Sequence, residues 1–235
     1  MRKIIFQYET ETIEVSIIKS NRKSLSIAIQ PEGSLFVKAP VALSDDEILK
    51  WIKSKTAWII RQREKLLNQQ RVNPPKRYVT GEKFSYLGCE YELEIRISEG
   101  RAGLVRILEN KLVVFSKTDS EETVQKILNS WYVEQAKIWI PKRVRFFAGL
   151  MRESYKNITI KNQKKRWGSC SSDRNLNFNW RLIMMPEDVI DYVVVHELCH
   201  LKQMNHSKAF WNEVEKMLPD YKIRKKWLDK QNISL

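Results

Sequence analysis

Every histidine of this 235-residue chain falls in one short stretch: His196 and His200, within His196-Glu197-Leu198-Cys199-His200, and then His206. Residues i and i+4 of a helix lie one above the other, so His196 and His200 can turn two imidazoles towards one metal ion. Glu197 stands beside the first of them, where a carboxylate can take a proton from water held next to the metal. This is the H-E-x-x-H arrangement of zinc hydrolases, with the glutamate as general base. His206 lies past the expected helix end and can fold back as a third ligand. Three protein ligands leave the open fourth position that a catalytic zinc requires, whereas a structural zinc is normally closed by four ligands, usually including cysteine. The expected cofactor is Zn2+, the expected ligands are His196, His200 and His206, and the expected catalytic residue is Glu197.

The elements that must position these groups can be read around them. Pro186-Glu187-Asp188 opens the metal helix, and Ile190, Val193, Val194, Leu198 and Leu201 bury it. Cys199 points away from the histidine pair and reads as a buried filler. Asn205 is expected in the left-handed conformation that reverses the chain into His206. Ser207 caps a following helix through Phe210, Trp211, Val214 and Leu218, and a short basic helix with Tyr221, Arg224 and Trp227 closes the chain. Either Tyr221 or Arg224 is a candidate partner for a developing oxyanion, since no fourth histidine exists. Upstream, residues 163–172 and 176–180 read as two short strands. Trp167-Gly168-Ser169 is the candidate edge strand for holding an extended peptide by β-augmentation. Lys164, Lys165 and Arg166 are the groups that would meet phosphates if the substrate were a nucleotide.

The rest of the chain reads as α+β, with a strand-rich region over 1–118 and a hydrolase region over 119–235. Ile13 to Ile18, Leu25 to Ile29 and Leu35 to Val37 form a three-stranded antiparallel meander, with a turn at Pro31-Glu32-Gly33. Ser44 and Glu47 form a capping box on a helix carrying Ile48, Trp51, Ile52, Trp58 and Ile59 to about Leu67, and Asn73-Pro74-Pro75 follows. That aromatic stripe serves core packing or a stacking platform for bases. Cys89 to Ile97 alternates strictly, and Leu104 to Leu108 pairs with Leu112 to Phe115 about Glu109-Asn110. A helix from Glu121 buries Val124, Ile127, Leu128, Trp131 and Ile138, then kinks or restarts at Pro141 before the basic-aromatic run Lys142 to Phe147.

Forty-two Lys and Arg against 28 Asp and Glu give a net charge of +14, shared evenly between 1–118 and 119–235. Such an excess aids solubility and attracts nucleic acid or phosphorylated substrates. Three scattered cysteines argue against a disulfide framework. No apolar run is long enough for a signal peptide or a membrane span, so a cytoplasmic protein is expected.

His-Glu-Leu-Cys-His, Asn205 to Trp211 and Leu218-Pro219-Asp220-Tyr221 resemble the YgjP-like metallopeptidase-domain proteins, as do Arg166 to Ser171 and Asn179-Trp180-Arg181-Leu182. The resemblance extends to Arg22-Lys23-Ser24 and the Trp51 to Arg61 helix, and is most specific over 166–221. It implies a zincin-like catalytic region with zinc on the three histidines and Glu197 catalytic. Related SprT-like and WLM-type proteins are linked to proteolysis near DNA, and some YgjP-like proteins are labelled UTP pyrophosphatases. The metzincin pattern fails, because its glycine three residues after the second histidine is here Gln203. The expected function is a zinc metallopeptidase acting on protein or peptide. The alternatives are a nucleoside triphosphate pyrophosphatase and a zinc-stabilised nucleic-acid-binding module.

Overall fold

The computed structural model describes residues 2–8, 11–30, 34–72 and 76–231. The fold is α+β, and the chain divides into two units, residues 1–75 and 76–235.

The first unit holds β1 (Arg2–Tyr8), β2 (Glu11–Ser20), β3 (Ser26–Ile29), β4 (Leu35–Pro40), α1 (Asp45–Ser54) and α2 (Thr56–Val72). Its sheet runs in the order β1-β2-β4-β3, which replaces the expected meander. β2 and β4 pair in parallel, while β1 and β3 pair antiparallel on the outside. The reason lies in the two inner strands. Ile13, Val15 and Ile17 on β2, and Leu35, Val37 and Ala39 on β4, are all buried, so both strands need the centre of the sheet. β3 has no fully buried side chain and takes an edge. Ile48, Ile52 and Ile59 cover the sheet. Ser44 and Glu47 form the expected capping box. The single helix expected here is two, because Lys55 leaves helical geometry while buried Thr56 turns its hydroxyl back on Ile52 and Lys53. The turns expected at 31–33 and 73–75 lie outside the described residues.

The second unit begins with β5 (Lys83–Tyr86), β6 (Cys89–Ile97), β7 (Val105–Leu108) and β8 (Lys111–Ser116), in the order β5-β6-β8-β7. A long helix, α3 (Glu121–Met151), follows. Then come β9 (Asn157–Lys161), β10 (Gly168–Cys170) and β11 (Asn175–Asn179), a short 3-10 helix (Trp180–Met184), α4 (Glu187–Cys199), α5 (Lys208–Met217) and α6 (Tyr221–Leu228). The division therefore falls after residue 75 and not between 118 and 119. Phe84, Leu93, Val105, Leu112 and Val114 of this sheet share one core with α3, the 3-10 helix and α4. The Tyr132 hydroxyl also donates to the Ser85 carbonyl at 2.9 Å. A cut at 118 would halve that core.

Helix α3 runs unbroken through Pro141. Val124, Leu128, Tyr132, Ala136, Ile140, Val144 and Ala148 form a buried seam at every fourth residue on both sides of the proline. The backbone bond that Pro141 cannot make falls at exposed Lys137. Ile138, expected inside, is 51% exposed. In the basic-aromatic run, Arg143 clamps Asp191 of α4 with two bonds of 2.6 Å and lies over Phe146 and Phe147. The run thus ties α3 to the helix that carries the histidines.

Candidate metal centre

Pro186 precedes the first turn of α4, and Glu187 and Asp188 supply negative charge at its positive end. Val189, Ile190, Tyr192, Val193, Val194, Val195, Leu198 and Cys199 are buried, so the helix is held on nearly all sides. His196 and Glu197 occupy its last turn and His200 caps it. Asn205 does not adopt the expected left-handed conformation. Its side chain accepts from Ser207 N instead, and that turn brings His206 back over the helix end. Ser207 caps α5 as expected.

The loop returns His206 to the other two histidines. The candidate ligand atoms of His196, His200 and His206 all lie within 4.8 Å of one another. Nε2 of His196 and Nε2 of His206 are 3.0 Å apart. Two nitrogens on one tetrahedral zinc, each at about 2.0–2.1 Å, stand roughly 3.3 Å from each other, so this spacing suits a shared ion. His200 Nδ1 faces the Gln203 carbonyl at 3.0 Å, which leaves its Nε2 free to ligate. His196 Nδ1 is buried without a partner. Phe210, fully buried, lies 4.6–4.9 Å from all three imidazoles. Trp211 stacks on His206 and Tyr221 stacks on Trp211.

The electrostatics fit a cation. Burial, then the neighbouring imidazoles and Lys225, lowers the pKa of His196 to about 3, so it stays neutral and its nitrogen lone pair is available. His200 is lowered chiefly by burial too. Glu197 is 5% exposed, and its Oε2 has no hydrogen-bond partner. Burial pushes its pKa up to about 8, against the opposing charge of Arg166. A cation among the imidazoles would favour the carboxylate and offset that burial. Three clustered imidazoles beside an unsatisfied carboxyl form a donor set that suits zinc.

A cleft of about 340 Å³ opens over the centre, lined by His196, Glu197, His200, Met204 and His206 from one side. Arg166, Gly168, Ser169 and Cys170 form the other side. β10 is an edge strand, as expected for this segment: the order of its sheet is β10-β11-β9. Trp167 O accepts from Asn179 N and Ser171 N donates to Asn175 O, so alternate residues turn their backbone towards β11. Gly168 and Cys170, between them, turn their N–H and C=O groups to the open edge.

Gly168 was read as part of the substrate-holding edge strand, but its contact with Glu197 was not legible. A methyl group placed there would come within 2.6 Å of Glu197 Oε1, 2.7 Å of its Cγ and 2.9 Å of its Cδ. The missing side chain is the space that the Glu197 carboxyl occupies. Nothing in the local pattern marks this, because the contact joins residues 168 and 197.

Of the expected phosphate-meeting group, Arg166 lines the cleft, whereas Lys164 and Lys165 are not among its lining residues. Neither candidate oxyanion partner lines it. Tyr221 is buried against Trp211, and Arg224 is held by Asp220 at 2.9 Å and by the Asp188 carbonyl at 3.0 Å. Arg166 is the cation that does line it. Cys199 is buried and does not line the cleft, and burial pushes its thiol up to about 12.

An α+β chain with three clustered imidazoles on and beside one helix defines a class, that of proteins whose histidines could together hold a metal ion. More particularly, the chain belongs to the YgjP-like family, metallopeptidase domain, whose model matches residues 23–231. The crystal structure of the metallopeptidase zymogen of Pyrococcus abyssi abylysin is similar with a TM-score of 0.36 and 22% identity, over 38% of this chain and 90% of that one. That of the metallopeptidase zymogen of Methanocaldococcus jannaschii jannalysin has a TM-score of 0.35 and 25% identity, over 39% and 94%. A comparison with curated proteins returned no significant match. No described helix is long and apolar enough to cross a membrane.

Proposed function

We propose that the protein is a zinc-dependent metallopeptidase that hydrolyses extended polypeptide segments, with Glu197 as general base. The observation that carries this reading is the free edge of β10 beside the histidine cluster and Glu197, in one cleft. A peptide laid along that edge bonds to the outward N–H and C=O of Gly168 and Cys170, which fixes its backbone without reading its sequence. Bound by His196, His200 and His206, zinc supplies a Lewis acid that polarises a carbonyl and makes water acidic. Glu197 Oε takes the proton from the attacking water and passes it to the departing amine. The packing of α4 and the gap left by Gly168 hold that carboxyl in place. Arg166 is available to oppose negative charge that develops on the substrate oxygen.

A triphosphate would need several cations close by, and of the three basic residues at 164–166 the cleft is lined by Arg166. Peptide therefore suits the cleft better than nucleotide. The test is hydrolysis of an unfolded protein and of each nucleoside triphosphate, with zinc-loaded wild type and Glu197→Gln side by side. Wild type should cleave the protein, and Glu197→Gln should lose about 10²–10⁴-fold in turnover while keeping its zinc. Pyrophosphate release that depends on Glu197, with no peptide cleavage, would reverse the assignment.

A further inference from the structure

The apolar repeat of the first unit divides on folding. Ile48, Ile52 and Ile59 are buried in its core, and Trp51 is half-buried against it. Trp58, from the same repeat, is 48% exposed. The core therefore leaves much of this indole uncovered. Ile59 N donates to Lys55 O, so Lys55 stands at the head of α2. Lys55, Trp58, Arg61 and Gln62 then share one face at i, i+3, i+6 and i+7, all exposed. Lys55 and Arg61 bracket the indole over about 9 Å of helix axis.

Among the described residues, these cations are not spent on ion pairs. Elsewhere in the unit, Lys3 pairs with Glu14 and Lys19 with Asp45. Among the described residues, Lys50, Lys53, Lys55 and Arg61 have no carboxylate partner. Among the described residues, Arg61 gives its Nε to the Ala57 carbonyl and makes no other bond. The acids of α1 sit in its first turn, where Glu47 is occupied by Ser44 and Asp45 by Lys19. Glu64 follows Arg61 by three residues and is its neighbour on α2, but among the described residues the two form no ion pair.

We propose that this face of α2 binds single-stranded nucleic acid, with a base stacked on Trp58 and flanking phosphates met by Lys55 and Arg61. An exposed aromatic between unpaired cations supplies the two contacts such binding uses: a π-face indifferent to sequence, and charge along the backbone. The net charge of +14 attracts the same ligand from a distance. A membrane surface fits less well, because an interfacial helix buries a broad apolar face and the neighbours of Trp58 here are polar. The inference is independent of the metal centre.

The test uses the full chain and a fluorescein-labelled oligodeoxythymidylate of about 15 nucleotides, followed by anisotropy across a salt series. Wild type should bind, and the affinity should fall as salt rises. Trp58→Ala should weaken binding roughly tenfold, the size of one lost base stack, and Trp58→Phe should retain most of it. Lys55→Gln with Arg61→Gln should flatten the salt slope. Thermal melting should be unchanged in the double glutamine variant, which decides the matter if Trp58→Ala fails to fold. Equal binding by wild type and Trp58→Ala would overturn the proposal. So would failure to bind at low salt, or Trp58-dependent capture by phosphatidylserine vesicles without binding to the oligonucleotide.

Discussion

The sheet of residues 2–40 and the sheet of residues 83–116 share one wiring. Each has two inner strands in parallel and two outer strands antiparallel, in matching order along the chain. Each is followed by a helix with serine at its N-cap and acids in its first turn. Ser44 and Ser120, Ile48 and Val124, and Ile52 and Leu128 stand at one common offset, and the four apolar residues are buried. The two regions differ in what the helix goes on to do. In the first, α1 stops at Ser54 and the layer ends with α2. In the second, α3 continues for 31 residues, and the 3-10 helix and α4 rest on it. One wiring thus appears twice, and the histidines belong to the elements that follow the second.

The largest expected contrast is in pH dependence. Among the described residues, the buried polar side chains of the first unit are Ser16 and Thr56, which do not titrate. The second unit buries Glu197, whose pKa is raised by burial from 4.5 to about 8. A raised carboxyl binds its proton more tightly in the folded state. Its contribution to stability is complete below pH 4.5 and is lost as the pH rises through about 8. Metal-free wild type should therefore lose stability between pH 6.5 and about 8. Metal-free Glu197→Gln should lose much less, as read from denaturant midpoints. Identical slopes for the two chains would show that the carboxyl is not buried as described.

Next come the paired core positions. Ile52→Ala and Leu128→Ala each remove a fully buried side chain and should each cost about 2–5 kcal/mol. Only Leu128→Ala should also weaken zinc binding, measured by competition with a chelator, because α3 supports α4. If Ile52→Ala released zinc as readily, the metal centre would depend on both scaffolds. The smallest effect should come from Gly168→Ala. The added methyl displaces the Glu197 carboxyl, and a shift of about 1 Å is expected to lower kcat by roughly 100-fold. Zinc content and melting temperature should change little. A wild-type kcat in Gly168→Ala would show that Glu197 has room to move.

Much of this was legible where the signal is local. Ser44 with Glu47, the strand from Cys89 to Ile97, the turn at Glu109 and the cap at Ser207 each depend on residues a few positions apart, and each formed, although Cys89 and Ile97 at the strand's ends are exposed. The histidines were legible because ligand spacing on a helix is local as well. What was missed depends on distant partners. Parallel pairing of β2 with β4 follows from which strands need burial on a finished sheet. Ile138 reads as inward on periodicity alone, yet the core seam of α3 steps by four and leaves it outside. Pro141 reads as a break until both flanks are seen to be pinned by the same core. The space at Gly168 exists only for Glu197.

Gly88, at the tip of the β5–β6 hairpin, has a φ of +79°, and a side chain there would meet Pro186 Cα at 2.8 Å. Beside it, Leu87 N donates to the Ile183 carbonyl at 2.8 Å. The start of the histidine helix thus leans on a turn made almost a hundred residues earlier. On a ribosome adding about 5–20 residues per second, that turn is made many seconds before Pro186. The hairpin can then serve as a template on which the later-made α4 is fitted. The three imidazoles follow that turn in the chain, so their cluster is completed on a support made before them.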